Sequence, residues 1–209
     1  MENEDASHEY APLFDVYHHL LTVSRIFDCL NQRFLNFTIL YNSKTGFTRK
    51  YAQLLAEELG CAALPLGDAP ADLSQYAAVA FGRRLHAGVV DGWKKAQKLL
   101  NSRGAKKLVV FATGAMPNGA GEQIRKVWEQ NLTPGELDAV PHFYLQAGLC
   151  LEKLGAGDRA MLKVAGWAMG RKKDRTPEDQ AFQDAISRSY DISDPKYIRP
   201  VADCLRGLG

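Results

Sequence analysis

Two hydrophobic patterns alternate along most of this chain. One is a short, continuous run of apolar, β-prone residues, which is typical of a strand that helices cover on both faces. The other repeats apolar residues at three- and four-residue spacing, which indicates an amphipathic helix. The continuous runs lie at residues 37–41, 61–66, 76–82, 106–114 and 140–148.

Helical patterns follow the first, third, fourth and fifth of these runs. Strands that alternate with helices over such lengths predict an open parallel sheet with right-handed crossover connections. In such a sheet, ligands bind beyond the carboxyl ends of the strands, where the strand order reverses. This rule selects three candidate loops, at residues 42–48, 83–93 and 112–123. Trp93 is expected inside the helix that follows, with its ring in the core.

The first of these loops has the sequence NSKTGFT and leads directly into a helix. Ser43, Thr45 and Thr48 offer hydroxyl groups, and Gly46 allows backbone conformations that other residues avoid. The helix start adds unpaired N–H groups and partial positive charge, which together favour a phosphate. The loop matches neither the Walker motif nor the three-glycine dinucleotide fingerprint. The alternative is that these residues only cap the helix, because Ser, Thr and Asn are preferred capping residues.

The residues SKTGFT resemble the flavodoxin phosphate loop, Ser/Thr-x-Thr-Gly-x-Thr, and occupy the same place after the first strand. The resemblance covers residues 36–209 and implies a flavodoxin-like α/β fold. Its sheet would be open, parallel and five-stranded, of order 2-1-3-4-5, with helices on both faces. It also implies non-covalent FMN, with the phosphate in the first loop and the isoalloxazine ring between the other two. The implied cofactor ligands are Ser43, Lys44, Thr45, Gly46, Phe47, Thr48, Arg83, Arg84, Leu85, His86, Thr113, Gly114, Ala115, Met116 and Gly119.

The chain departs from typical flavodoxins in its charge and its aromatic residues. Flavodoxins are strongly acidic, whereas this chain has a formal net charge of +2. Neither ring-binding loop supplies the usual pair of stacking aromatic side chains. Arg84 and His86 would favour negative charge on the flavin and an anionic substrate or partner. The resemblance therefore implies an electron-transfer protein or an FMN-dependent oxidoreductase, with no side chain as nucleophile or general base. Its partner would be a redox protein, a quinone or a small anionic substrate.

Two alternatives remain open on the same fold. One is a flavin-free module that binds another phosphate ligand in a regulatory or binding role. The other comes from residues 158–170, DRAMLKVAGWAMG, which resemble a region of menaquinone-dependent protoporphyrinogen dehydrogenases. The matching positions are Asp158, Arg159, Met161, Lys163, Met169 and Gly170. This segment could cover the flavin as a lid, contact an anionic membrane surface through residues 158–173, or pack on the sheet.

Composition adds few further constraints. The chain is 46% hydrophobic and 24% charged, which suits one core, and its small net charge argues against a general nucleic-acid binder. Cys29, Cys61, Cys150 and Cys204 lack metal-binding spacing, so thiols in a reducing compartment, a cytoplasmic location and no metal site are expected. Residues 1–35 predict an extension that is an amphipathic helix or partly disordered. A further hypothesis is that translation begins at Leu35.

Overall fold

The computed structural model describes residues 36–209, except for the side chains of Glu178 and Phe182. The predictions for residues 1–35, both the extension and the start at Leu35, lie outside the described residues. The same holds for the environment of Cys29.

The central feature of the fold is a twisted sheet with five parallel strands. The strands are β1 (Phe37–Asn42), β2 (Ala62–Pro65), β3 (Ala78–His86), β4 (Val89–Val90), β5 (Leu108–Gly114) and β6 (His142–Gln146). The parallel path runs β2-β1-β3-β5-β6, and the short β4 pairs antiparallel with the end of β3. When only the parallel strands are numbered, the order is 2-1-3-4-5. The predicted flavodoxin-like sheet is therefore confirmed.

Helices connect the strands in the expected places. They are α1 (Phe47–Leu59), α2 (Trp93–Ser102), α3 (Gly121–Asn131), α4 (Pro134–Ala139), α5 (Ala156–Gly170), α6 (Pro177–Ser187) and α7 (Arg199–Leu208). Short 3₁₀ turns lie at Leu66–Asp68, Leu151–Lys153 and Pro195–Ile198. A separate two-stranded ribbon joins β7 (Gly148–Leu149) to β8 (Tyr190–Asp191).

The sequence analysis did not predict α4, α6 or the ribbon. Both helices carried a recognisable start signal, because each begins with a threonine, a proline and an acidic residue in a capping box. Thr133 and Glu136 form this box in α4, and Thr176 and Asp179 form it in α6. Pro200 lies in the first turn of α7, where its missing N–H removes no hydrogen bond of the helix.

The middle strands are buried on both faces. Leu40, Phe81 and Val110 pack in a cluster with residues of α2 and α3 on one face. Because side chains alternate along a strand, the neighbours of these residues point to the opposite face, where α1 and α7 lie against the sheet and each other. Trp93 is 2% exposed and its ring stacks on that of Phe81 at a centroid distance of 6.1 Å, which confirms its predicted core position.

The predicted loop 83–93 is wrong at its first residues, because β3 continues through His86. The chain then turns at Ala87 and Gly88, both with positive φ, and returns as β4. The side-chain amide of Asn131, at the end of α3, holds this hairpin. Its Oδ1 accepts a hydrogen bond from Val90 N at 2.8 Å, and its Nδ2 donates to Gly88 O at 2.8 Å.

We expect the close approach of β3 to β5 at Gly82 to be intolerant of any side chain. A Cβ at Gly82 would lie 2.1 Å from Cζ of Phe111, its partner across the ladder. Gly82→Ala should lower the free energy of unfolding by about 1 to 3 kcal/mol, as measured by urea unfolding, because overpacking forces the ring or backbone to shift. The control is Gly67→Ala, where a Cβ meets nothing within 4 Å. A similar loss in both variants would contradict the packing explanation.

Candidate functional site

A cavity of about 170 Å³ lies where β1, β3, β5 and β6 end at the same edge of the sheet. All three predicted loops reach it, and the segment after β6 and helix α5 complete its walls. The predicted cofactor ligands that line it are Thr45, Phe47, Arg84, Leu85, His86, Thr113, Gly114 and Ala115. A wider groove of about 420 Å³ shares Thr45 and Phe47 with this cavity and includes Gly46, Lys50 and Lys153.

The predicted phosphate loop leaves the start of α1 without a side-chain cap. Gly46 precedes the helix at φ 104°, a conformation that favours glycine, and no side chain accepts a hydrogen bond from the first turn. The Ser43 hydroxyl instead closes the loop, because Oγ accepts a hydrogen bond from Gly46 N at 3.1 Å. The alternative that the hydroxyl residues of this loop only cap the helix is therefore not supported, because none of them caps α1. The first N–H groups of α1 have no acceptor within the helix and are available to an anion.

A buried pair of hydroxyl groups joins this loop to the end of β5. Thr48 Oγ1 lies 2.8 Å from Thr113 Oγ1, and the two residues are 2% and 3% exposed. Each hydroxyl has one donor and two acceptor positions, so this bond leaves each with further capacity. The pair fixes the first turn of α1 against the end of β5, directly before Gly114 and Ala115.

Asp158 of α5 forms the electrostatic centre of the site. One of its carboxylate oxygens, Oδ2, lies 3.0 Å from both Lys44 Nζ and Arg84 Nη1, and the other, Oδ1, lies 3.0 Å from His86 Nε2. The His86 contact has ion-pair distance without hydrogen-bond alignment, so its buried Nε2 has no hydrogen-bond partner among the described residues. Hydrogen bonds from Lys44 and then Arg84 lower the pKa of Asp158 to about 2. This cluster ties α5 to both the phosphate loop and β3.

Several predicted ligands lie away from the cavity. Arg83 turns toward the start of α2 and pairs with Asp91 at 3.1 Å. Met116 packs against the core cluster, and its carbonyl accepts a hydrogen bond from the Tyr144 hydroxyl at 3.0 Å. Gly119 has open space around it. Of the remaining predicted ligands, Ser43, Lys44, Gly46 and Thr48 belong to the phosphate loop without lining this cavity.

The sequence analysis missed one part of the wall. The segment 147–150 follows β6, and the rule that selected the other loops also applied to this strand end. Asp158, Met161 and Leu162 of α5 also line the cavity, and they belong to the segment for which a lid over the flavin was one of the alternatives. Asp158 is 114 residues from Lys44 along the chain.

A family model described as the flavodoxin domain matches residues 38–176. No curated protein matches the chain. None of the helices within residues 36–209 combines the length and the hydropathy needed to span a bilayer.

Solved structures that align with the chain have low sequence identity. A flavodoxin from the domain Archaea is 12% identical with a TM-score of 0.36, over 82% of this chain and 99% of the other. A WrbA-like flavodoxin from Agrobacterium tumefaciens is 16% identical with a TM-score of 0.37, over 83% of this chain and 99% of the other. A flavodiiron core from Synechocystis sp. PCC6803 is 14% identical with a TM-score of 0.41, over 91% of this chain and 41% of the other.

We expect the Asp158 cluster to stabilise the fold only above acid pH. An aspartate in an unfolded chain titrates near pH 4, about two units above the folded value of about 2. The contribution of Asp158 to the free energy of unfolding is therefore complete above the pKa of the unfolded chain. It is lost as the pH falls through the pKa of the folded protein. The difference in melting temperature between the wild type and Asp158→Asn should shrink steadily from about pH 6 to pH 2. Asp174→Asn, at an exposed position, controls for general loss of charge. A difference that stays constant over this range would refute the assignment.

Proposed function

The chain belongs to the flavodoxin domain family, and from this premise we propose that it binds FMN non-covalently and acts in electron transfer. The observation that carries the proposal is the uncapped start of α1 beside a cavity at the carboxyl edge of the sheet. Hydroxyls, free amides and a helix N-terminus together suit the phosphate of FMN.

The phosphate would lie in the loop 43–48. The N–H groups of the first turn of α1 would donate to its oxygens, and Thr45 would add a hydroxyl from the shared wall of the cavity and the groove. Lys44 offers positive charge at the rim, where its ammonium now contacts Asp158. These groups are hydrogen-bond donors with positive potential, and they match the chemistry of a phosphate dianion.

The ring would lie between the end of β3 and the end of β5. The cavity there, about 170 Å³, is smaller than the roughly 300 to 1,000 Å³ typical of small-molecule sites. Asp158, Met161 and Leu162 form the wall that α5 contributes. None of the side chains of α5 is fully buried, so moving this helix sacrifices little apolar contact. We therefore assign α5 the role of a lid that shifts when FMN binds.

When bound, the isoalloxazine ring supplies the electron uptake and release. The residues of the chain orient it, exclude water and set the local charge. Arg84 and His86 stand at the cavity and favour negative charge near the ring, which also favours an anionic substrate or an acidic redox partner. No side chain is assigned as a nucleophile or general base. Electron exchange with a carrier protein and oxidation or reduction of a substrate of its own would both use this site.

The partner class, the cellular location and the second resemblance rest on the sequence. A redox protein, a quinone or a small anion remains the proposed partner class, and the cytoplasmic location inferred from the cysteines stays a prediction. The similarity to protoporphyrinogen dehydrogenases also stays a prediction, although the segment that carries it, residues 158–170, does form a helix.

Titration with FMN tests the proposal directly. We expect the purified protein to quench FMN fluorescence, and Thr45→Val together with Thr48→Val to weaken binding by about 1 to 3 kcal/mol through unpaired phosphate oxygens. The matched control is Thr38→Val in β1, which makes the same chemical change at a buried hydroxyl without a hydrogen-bond partner among the described residues. Its FMN affinity should equal that of the wild type.

Because Thr48 also bonds Thr113, the double variant needs a separate measurement of unfolding, and Thr45→Val alone tests the loop without disturbing that pair. Equal affinity in wild type, Thr45→Val and the double variant would refute the assignment of the phosphate loop. A colourless protein that ignores added FMN would instead favour a flavin-free module for another phosphate ligand.

A further inference from the structure

One face of α5 is apolar and exposed along its whole length. We call this surface the outer face, and it comprises Gly157, Ala160, Met161, Val164, Trp167 and Ala168. Of these six residues, only Met161, at the margin of the face, also lines the cavity. These six residues follow helical spacing, and none of them is charged. A helix face in water normally carries charged and polar residues, so this surface is unusual.

The exposed area of the outer face is large. Val164 is 64% exposed, Trp167 is 59% exposed and Met161 is 41% exposed. Among the side chains that the structure describes, the other large apolar ones with such exposure are Val89 and Ile192, which lie on different elements. The outer face thus concentrates most of the exposed bulky apolar surface of the described chain on one helix.

Positive charge borders the outer face. Lys163 is exposed beside it, and Lys173 is exposed just beyond the end of the helix. The guanidinium of Arg171 lies over the Trp167 ring at 4.1 Å. The one acidic residue of α5, Asp158, is directed to the cavity cluster. The outer face is therefore an uncharged apolar stripe with lysine and arginine at its borders.

We propose that the outer face docks on the surface of an anionic lipid bilayer. A helix with an exposed apolar stripe and lysine or arginine at its borders lies in the interface plane of a membrane. Tryptophan favours the headgroup level, and basic residues are attracted to anionic headgroups. A second copy of the chain is a poorer occupant, because pairing two outer faces would bring their basic borders together.

This docking would place the cofactor cavity next to the bilayer, since α5 forms one wall of that cavity. Docking itself does not depend on FMN. The two proposals can therefore fail separately, and lipid binding should be measured with and without added FMN.

The full-length protein is mixed with phosphatidylcholine vesicles that contain about 30% phosphatidylglycerol, and binding is followed by co-sedimentation and tryptophan emission. Trp93 and Trp128 are 2% and 4% exposed, so a blue shift reports on Trp167. We expect at least tenfold tighter binding than to pure phosphatidylcholine, with loss of binding at about 0.5 M salt because salt screens the headgroup attraction.

Two matched pairs of variants locate the contact. Val164→Ser should weaken vesicle binding at least fivefold, and Val89→Ser, at a valine with 55% exposure on β4, should leave it unchanged. Lys163→Glu should weaken it similarly, and Lys98→Glu, at an exposed lysine of α2, should not.

Absence of binding, equal binding to neutral vesicles, or equal losses in both members of a pair would overturn the proposal. A concentration-dependent dimer that shifts Trp167 emission without vesicles would also overturn it, and would assign the outer face to a second copy. Vesicle binding by a protein that ignores FMN would leave this proposal intact and contradict only the proposed function.

Discussion

Parallel pairing of β1, β3, β5 and β6 is the constraint on which the site depends. Strands that run in the same direction must all end at the same edge, so the residues that follow them are brought together whatever their separation in sequence. The ladder sets Asn42 beside Arg83, Arg84 beside Thr113, and Gly114 beside Gln146. Packing on both faces keeps this register. If one strand slipped by one residue, each of its side chains would point to the opposite face of the sheet and lose its packing partners.

Polar contacts then convert the sheet edge into a site with a defined shape. The hydroxyls of Thr48 and Thr113 meet in a nearly water-free position and fix the helix start against β5. At the rim, Asp158 gathers Lys44, Arg84 and His86 around one carboxylate. Asp91 also lies 3.7 Å from Arg84, but Lys44, Arg83 and Arg84 outnumber the two carboxylates, so the rim can still attract an anion. The same ion pairs hold α5, which has little apolar burial, in its position over the cavity.

Helix α5 has two different faces. One face forms part of the cavity wall, and the other is exposed at the protein surface. Asp158 and Leu162 face the cavity, whereas Val164 and Trp167 face solvent. A helix that packed as an ordinary sheet cover would bury its apolar side chains, and α5 buries none of them fully. Ion pairs of Asp158 tie it to the phosphate-loop segment and to β3, and its partial burial is consistent with both a lid and a docking element.

The sequence by itself determined the parts of this protein that depend on neighbours along the chain. Apolar periodicity was enough for the five parallel strands, and the motif SKTGFT was enough to place a turn directly before the first helix, because both signals act within a few residues. Only the tertiary structure decided that β3 extends through His86, which requires pairing with β5 and β4. It also decided that Asp158 meets Lys44 and Arg84, that Arg83 turns away to Asp91, and that Met116 packs in the core. These outcomes depend on contacts between distant segments, and periodicity and short motifs carry no information about them.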